Sequence, residues 1–365
     1  MPGHDEAAFE TAIEFGLTSA GGYEKRGPTD YDESLGLFPA DVIGFLQDGQ
    51  PAKWQALDAL LGPKTAATVL DSLAKELELK GSLHVLRHGF KCYGKTFRMA
   101  YFRPNTSMNP EAAEHYARNR LTITRQVAFT SVMKKADGAN ANRHRRCIID
   151  VTLAVNGIPV VTAELKNPLT GQRAANAMRQ YESERDERDL LFAFKQRTLV
   201  HFAVDPDEVW MTTRLRGKET QFLPFNRGNN HGAGNPPVEG NWKTHYLWDE
   251  VLQADSLLEI LQRFMHLEVK KKKVKTDKGV RTVRKEAMIF PRYHQLDAVR
   301  KLVAHAKTHG AGRNYLIQNS AGSGKSNSIA WLAHRLASLH DAQDEKVFHS
   351  VIVVTDRRVL DQQLQ

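Results

Sequence analysis

Cys147-Ile-Ile-Asp150-Val-Thr-Leu-Ala-Val155, Asn156-Gly157 and Ile158-Pro-Val-Val-Thr-Ala-Glu164-Leu-Lys166 form one continuous segment that says more about this chain than any other. Two runs rich in β-branched residues flank Asn-Gly, the pair that most readily takes the positive φ angles of a tight hairpin turn. Glu164 and Lys166 stand two apart and share one face of their strand. Where Asp150 points depends on the turn. A two-residue Asn156–Gly157 turn opposes Asp150 to Ala163 and sends Glu164 to the other face. A three-residue loop through Ile158, or an equivalent bulge, opposes Asp150 to Glu164. We expect the second arrangement. It gathers two carboxylates and the Leu165 carbonyl, oxygen donors suited to Mg2+, beside an ammonium that could orient water or offset charge on a phosphate. Without that convergence the same residues are only a surface ion pair.

Outward from the hairpin the pattern is mixed α/β. Residues 7–18 read as a helix with Phe9, Ile13 and Leu17 on one stripe, and 65–79 as another. Strand-like runs follow at 82–88, 96–102 and 121–128. After the hairpin come a polar-faced helix at 173–188 and two short strands near 199–213. Residues 226–241 are a Gly/Asn/Pro loop, and 270–285 hold nine basic residues against one acid, Asp277. This basic stretch reads as a solvated linker or exposed hairpin, or as a contact to a DNA backbone. The expected domains are 1–268, a basic linker 269–286, and 287–365.

The last segment restarts the pattern with a helix (292–308), a strand (314–320), a glycine loop, a helix (326–339) and an apolar strand (347–355). Within it, Gly322-Ser323-Gly324-Lys325-Ser326 has the spacing of a phosphate loop, whose backbone N–H groups and helix N-terminus cradle a nucleotide. Lys325 would reach the β and γ phosphates of ATP and Ser326 would hold Mg2+. Asn319 stands where the usual pattern has its first glycine. Upstream, Phe290-Pro-Arg-Tyr-His-Gln295 resembles the glutamine motif of superfamily 2 helicases, in which Gln295, helped by Arg292, would read adenine. Downstream, Val351-Ile-Val-Val-Thr-Asp-Arg-Arg358 with Leu360 and Gln363 resembles their next motif. No acidic pair ends an apolar strand after Ser326, and the sequence closes inside that motif. We therefore expect the start of a RecA-like translocase domain, truncated, that binds ATP poorly and hydrolyses it hardly at all.

The Asp150, Glu164-x-Lys166 pattern is similar to the PD-(D/E)xK nuclease core, which implies a further glutamate from an early helix: Glu10 or Glu14, with Glu10 favoured. The whole order resembles the R subunit of type I restriction enzymes. That resemblance rests on Phe9-Glu10 with Ile13, Asp150, Glu164-x-Lys166-Asn167-Pro168, Gln180-Tyr181 with Arg185-Asp186, His201–Asp205, Met211–Leu215, Phe222–Asn226 and the helicase motifs. It implies ATP-driven translocation and Mg2+-dependent cleavage of double-stranded DNA, in a complex with methyltransferase and specificity subunits. The family separates a glutamine and a tyrosine by three residues after the lysine. Here they adjoin, which leaves Tyr181 without a role and Gln180 near the DNA or the metal.

A net charge of +9 suits a phosphate-rich partner, two cysteines are too few for a disulfide framework, and no apolar run is long enough to span a membrane. We expect a cytoplasmic protein. His84 and His88 lie in a strand-like stretch and read as structural or exposed, and Trp242, Tyr246 and Trp248 as local core. Two other readings stand beside the nuclease: a superfamily 2 helicase or remodeller whose N-terminal domain binds DNA without cutting, and a non-enzymatic docking fragment.

Overall fold

The computed structural model describes residues 6–106, 108–132, 144–167, 171–230, 232–276, 279–320 and 322–354. Two compact units divide it: residues 1–101 with 115–290, and residues 102–114 with 291–365. The elements are α1 (Glu6–Ser19), β1 (Glu24–Arg26), α2 (Pro39–Gly49), α3 (Pro51–Leu61), α4 (Thr65–Lys80), α5 (Ser82–His88), β2 (Phe90–Cys92), β3 (Lys95–Phe97), α6 (Pro110–Ala117), β4 (Leu121–Val132), β5 (His144–Val155), β6 (Ile158–Leu165), α7 (Ala174–Glu184), β7 (Val200–Val204), β8 (Val209–Thr212), β9 (Leu223–Pro224), β10 (His266–Thr276), β11 (Gly279–Ile289), α9 (Tyr293–His309) and α10 (Lys325–Ala337), with α8 (Ala254–Glu259) between β9 and β10.

The first unit is built on a seven-stranded sheet of order β1-β4-β5-β6-β7-β8-β9. β4, β5 and β6 form an antiparallel meander, α7 carries the chain across, and β7 returns parallel to β6. All eight residues of β6 are buried, as expected of a central strand covered on both faces. The α1 stripe lands as its spacing requires. Phe9, Ile13 and Leu17 are buried, and Phe9 meets Trp242 and Trp248 edge-on at 5.2 and 5.7 Å. Each such side chain contributes about 1.5–3 kcal/mol of burial.

The β5–β6 hairpin settles the phase of the sheet. Val155 opposes Ile158, so Asn156 and Gly157 form a two-residue turn with φ of 50° and 83°. A bulge follows: Ala154 opposes Pro159 but Leu153 opposes Val161, leaving Val160 as the extra residue. The paired register then ends at Val151–Ala163; Asp150 and Glu164 are the next residue on each strand, so continuing the register one step brings them together. The tight turn and the paired acids coexist because the bulge absorbs one residue. The tip is clamped, since the Phe38 amide donates to the Gly157 carbonyl at 2.9 Å.

Several expectations need correction. Residues 82–88 are helical. Gly81, at φ 89°, ends α4, and Leu83, Val85 and Leu86 then bury a helical face. Arg87 ties that helix down by donating to the carbonyls of Leu261 and Met265. His84 and His88 therefore do share a helical face, their rings 4.6 Å apart. Of the run 96–102 only the first two residues are strand, within Lys95–Phe97. The basic stretch, read as a linker or an exposed hairpin, takes the hairpin form: β10 and β11 pair from His266–Ile289 to Thr276–Gly279 and belong to the first unit, so no linker separates them from it.

In the second unit α9 and α10 match the expected helices, but the flanking strands at 314–320 and 347–354 are not formed among the described residues. A strand takes its hydrogen bonds from a neighbour, and none is supplied there. Leu316, Ile352 and Val354 are accordingly 92%, 84% and 88% exposed. The α/β expectation holds for the first unit; the parallel sheet of the second does not appear. Residues 355–365, with the end of the downstream motif and its Leu360 and Gln363, lie outside the described residues, as do Pro168 and Ala321.

A Cβ on Gly157 would sit 2.5 Å from Val42 Cγ2 and 2.6 Å from the Phe38 carbonyl oxygen. Gly157→Ala should therefore destabilise the first unit by about 2–4 kcal/mol, combining left-handed strain with overpacking, as read from urea denaturation.

Candidate active site

Two polar rows cross the sheet of the first unit. One joins Thr124, Thr152, Thr162 and His201 through successive strand pairs, all four buried. Two residues along lie Gln126, between the pairs Arg125–Val151 and Val127–Ile149, and Asp150 and Glu164, each one residue beyond the pair Val151–Ala163; Lys166 follows two residues after Glu164, just past the end of β6. The Asp150 carboxylate accepts from the Leu165 amide at 2.7 Å, locking the acid against β6.

Glu164 is fully buried, and one of its oxygens, Oε1, accepts from Arg185 Nε at 2.6 Å. The other, Oε2, is buried without a hydrogen-bond partner among the described residues. Burial, then the Asp150 charge, push the Glu164 carboxyl well above the usual carboxylate range, against the pull of Arg185 and Lys166. Arg185 is itself buried, donates to the Ile148 carbonyl at 2.8 Å, and is held above its ordinary value by Glu164 despite desolvation. Lys166 is buried beside them.

Glu10 of α1 reaches this row indirectly. Its Oε2 accepts from Arg125 Nε at 2.9 Å and its Oε1 from Gln126 Nε2 at 2.7 Å. The same Gln126 nitrogen lies 3.5 Å from Asp150 Oδ1. Gln126 adopts φ 55°, a left-handed conformation costly for a side-chain-bearing residue and most often found where a site depends on it. Glu14 pairs with Lys25 at 2.8 Å through Oε1, and its Oε2 lies 3.8 Å from Arg125 Nη1, the same arginine that holds Glu10. Among the described residues no three His, Cys, Asp or Glu side chains are grouped to hold a metal ion. Of the acids read as metal ligands, Asp150 and Glu164 come together, and Glu10 stands behind Gln126.

Gln180 is half-buried on α7 and makes no side-chain hydrogen bond among the described residues. Tyr181 is fully buried, its hydroxyl 3.0 Å from Thr162 Oγ1, so it belongs to the core. Gln126, Arg125 and Arg185 were not singled out from the sequence as site residues. A left-handed backbone inside a strand leaves no trace in residue order, and Arg185 was quoted only as part of a motif.

In the second unit Lys325 opens α10 after Gly324, a left-handed N-cap at φ 84°. Its ammonium donates to the Asn319 carbonyl at 2.7 Å. Gln295 has both ends of its amide committed. Oε1 accepts from the Arg292 backbone N–H at 2.9 Å, and Nε2 donates to the Ser323 and Gly324 carbonyls at 3.2 and 2.9 Å. It thus braces the loop instead of presenting a free edge to a base. A Cβ on Gly324 would strike Gln295 Nε2 at 2.3 Å. Arg292 Nε is buried without a hydrogen-bond partner among the described residues.

Residues 105–220, which hold Gln126, Asp150, Glu164, Lys166 and Arg185, match the family described as type I restriction enzyme R protein N terminus. Residues 294–365, with Gln295 and the glycine loop, match the SWI2/SNF2 ATPase family. The chain is 26% identical over 254 residues, 69% of its length, to the type I restriction enzyme HindI endonuclease subunit of Haemophilus influenzae. It spans about a fifth (21%) of the length of that curated relative. No solved structure gave a significant match. No helix among the described residues is long and apolar enough to cross a membrane.

Burial pushes the His201 imidazole down to about 3, and its Nδ1 lies 2.7 Å from Thr162 Oγ1. The unfolded chain takes up a proton near pH 6.5 that the folded chain refuses. Stability should therefore fall as pH drops from about 6.5 toward 3, by up to about 1.4 kcal/mol per pH unit, and His201→Gln should flatten that slope in urea titrations. Arg185→Ala leaves Glu164 buried without its counter-charge and should cost about 3–5 kcal/mol at neutral pH. Because the carboxyl is shifted upward, that cost should shrink in acid, where Glu164 holds a proton.

Proposed function

We propose that the first unit is a Mg2+-dependent nuclease acting on double-stranded DNA, with a PD-(D/E)xK core, and that the second begins the ATP-driven translocase of a type I restriction enzyme. The observation that carries this reading is the buried, unpartnered Glu164 Oε2 opposite Asp150 and beside Lys166. An orphaned carboxylate oxygen in a buried site is costly unless a cation or donor meets it. Two acids, with no third among the described residues, fit a divalent ion that takes its remaining oxygens from water and substrate, as Mg2+ prefers. The helix, three-strand meander, helix and parallel strand from α1 to β7 support the same reading.

Asp150 and Glu164 would hold the ion, with the Leu165 carbonyl as a further oxygen and Glu10 acting behind Gln126. Bound there, Mg2+ supplies positive charge at the scissile phosphate. Lys166 donates to a phosphate oxygen or to the attacking water as charge develops. Arg185 fixes the orientation of Glu164 by occupying its other oxygen. Gly322, Ser323, Gly324, Lys325 and Ser326 would cradle ATP with its Mg2+, while Gln295 and Arg292 shape that loop. Methyltransferase and specificity subunits in the cytoplasm would choose the DNA.

The test is plasmid cleavage by the chain in its assembled complex with ATP and Mg2+. Lys166→Ala should slow cleavage about 10²–10³-fold and Asp150→Asn should abolish it, both with duplex binding retained. Unchanged cleavage by Asp150→Asn would overturn the nuclease assignment.

A further inference from the structure

The β10–β11 hairpin has no part in the chemistry above, yet its register is unusual. Lys270 stands directly opposite Lys285, and Lys271 directly opposite Arg284. Neighbouring positions alternate between the two faces of a ribbon, so like charges confront each other on both faces. Such pairs destabilise a hairpin. All four side chains are exposed. Glu268 answers Lys270 at 3.0 Å and Glu286 answers Arg284 at 3.3 Å, both pairs largely in solvent. Among the described residues Lys271 and Lys285 have no acid within ion-pair distance. The base is fixed: the Thr213 hydroxyl donates to the Met288 carbonyl at 2.8 Å, Lys195 bonds Glu286 at 2.5 Å, and Met288 is buried.

We propose that this hairpin is a binding arm for the phosphate backbone of duplex DNA, distinct from the cleavage site. A ribbon charged on both faces has no apolar side to lay on a core or a membrane, and a polyanion relieves its cross-strand repulsion. A two-stranded ribbon also has the dimensions to enter the major groove. Residues 267–289 contain no Phe, Tyr or Trp, so the arm lacks the stacking platforms that single strands require.

The decisive variant is Lys270→Glu with Lys271→Glu. It creates opposite-charge pairs with Lys285 and Arg284, so the hairpin should hold or gain melting temperature while losing its ligand. Fluorescence anisotropy of the full chain with a short duplex, in chelator, should show affinity weakened about tenfold or more. The slope of log affinity against log salt should become shallower by roughly two. Wild-type affinity and slope in the variant would overturn the proposal. So would an equal, hairpin-dependent affinity for single-stranded DNA or for phosphatidylserine vesicles. Duplex binding in chelator reads the arm and plasmid cleavage by the assembled complex reads the nuclease assignment, so failure of either is separately visible.

Discussion

The first unit rests on the phase set by one surplus residue. Val160 has no opposite number on β5, and its carbonyl instead accepts from the Leu199 amide at 2.9 Å, beside β7. Remove that residue from the count and every side chain of β6 beyond it changes face. Glu164 and Lys166 would then leave Asp150, and Thr162 would leave Tyr181 and His201. The acids, the threonine row and the α7 contacts are thus three consequences of a single bulge.

The site itself is a balance between two unfavourable terms. Glu164 is wholly desolvated and faces a second acid, and a buried arginine offsets part of that cost through one oxygen only. A pair of this kind contributes little net stability, because desolvation consumes most of its attraction. What it gives is orientation: one carboxylate oxygen fixed and the other left bare. Gln126 adds to this by linking Asp150 to Glu10 through a strained backbone.

Much of this was legible in residue order. Asn156-Gly157 named the turn, the spacing of Glu164 and Lys166 named a shared face, and Phe9, Ile13 and Leu17 named the buried side of α1. The choice between a longer loop and a bulge was not legible, because both give the same pairing and differ only in where the spare residue sits. Ser82–His88 misled because Leu83, His84 and Val85 alternate like a strand, whereas burial of Leu86 and the Arg87 bonds to distant carbonyls decide for a helix. The α2 and α3 helices carried no motif that set them apart. Around the glycine loop the expected helices form while the expected strands do not form among the described residues, since a helix satisfies its own backbone and a strand does not.

The clamp at the hairpin tip bears on the order in which the chain assembles. Asn156 and Gly157 are local and can turn early, but nothing local favours the bulged pairing over the plain one. The Phe38 amide, more than a hundred residues away in sequence, reads the Gly157 carbonyl only when the tip is correctly seated. Commitment to the working alignment therefore waits on a long loop closure. Nascent chains should sample slipped hairpins until α2 docks.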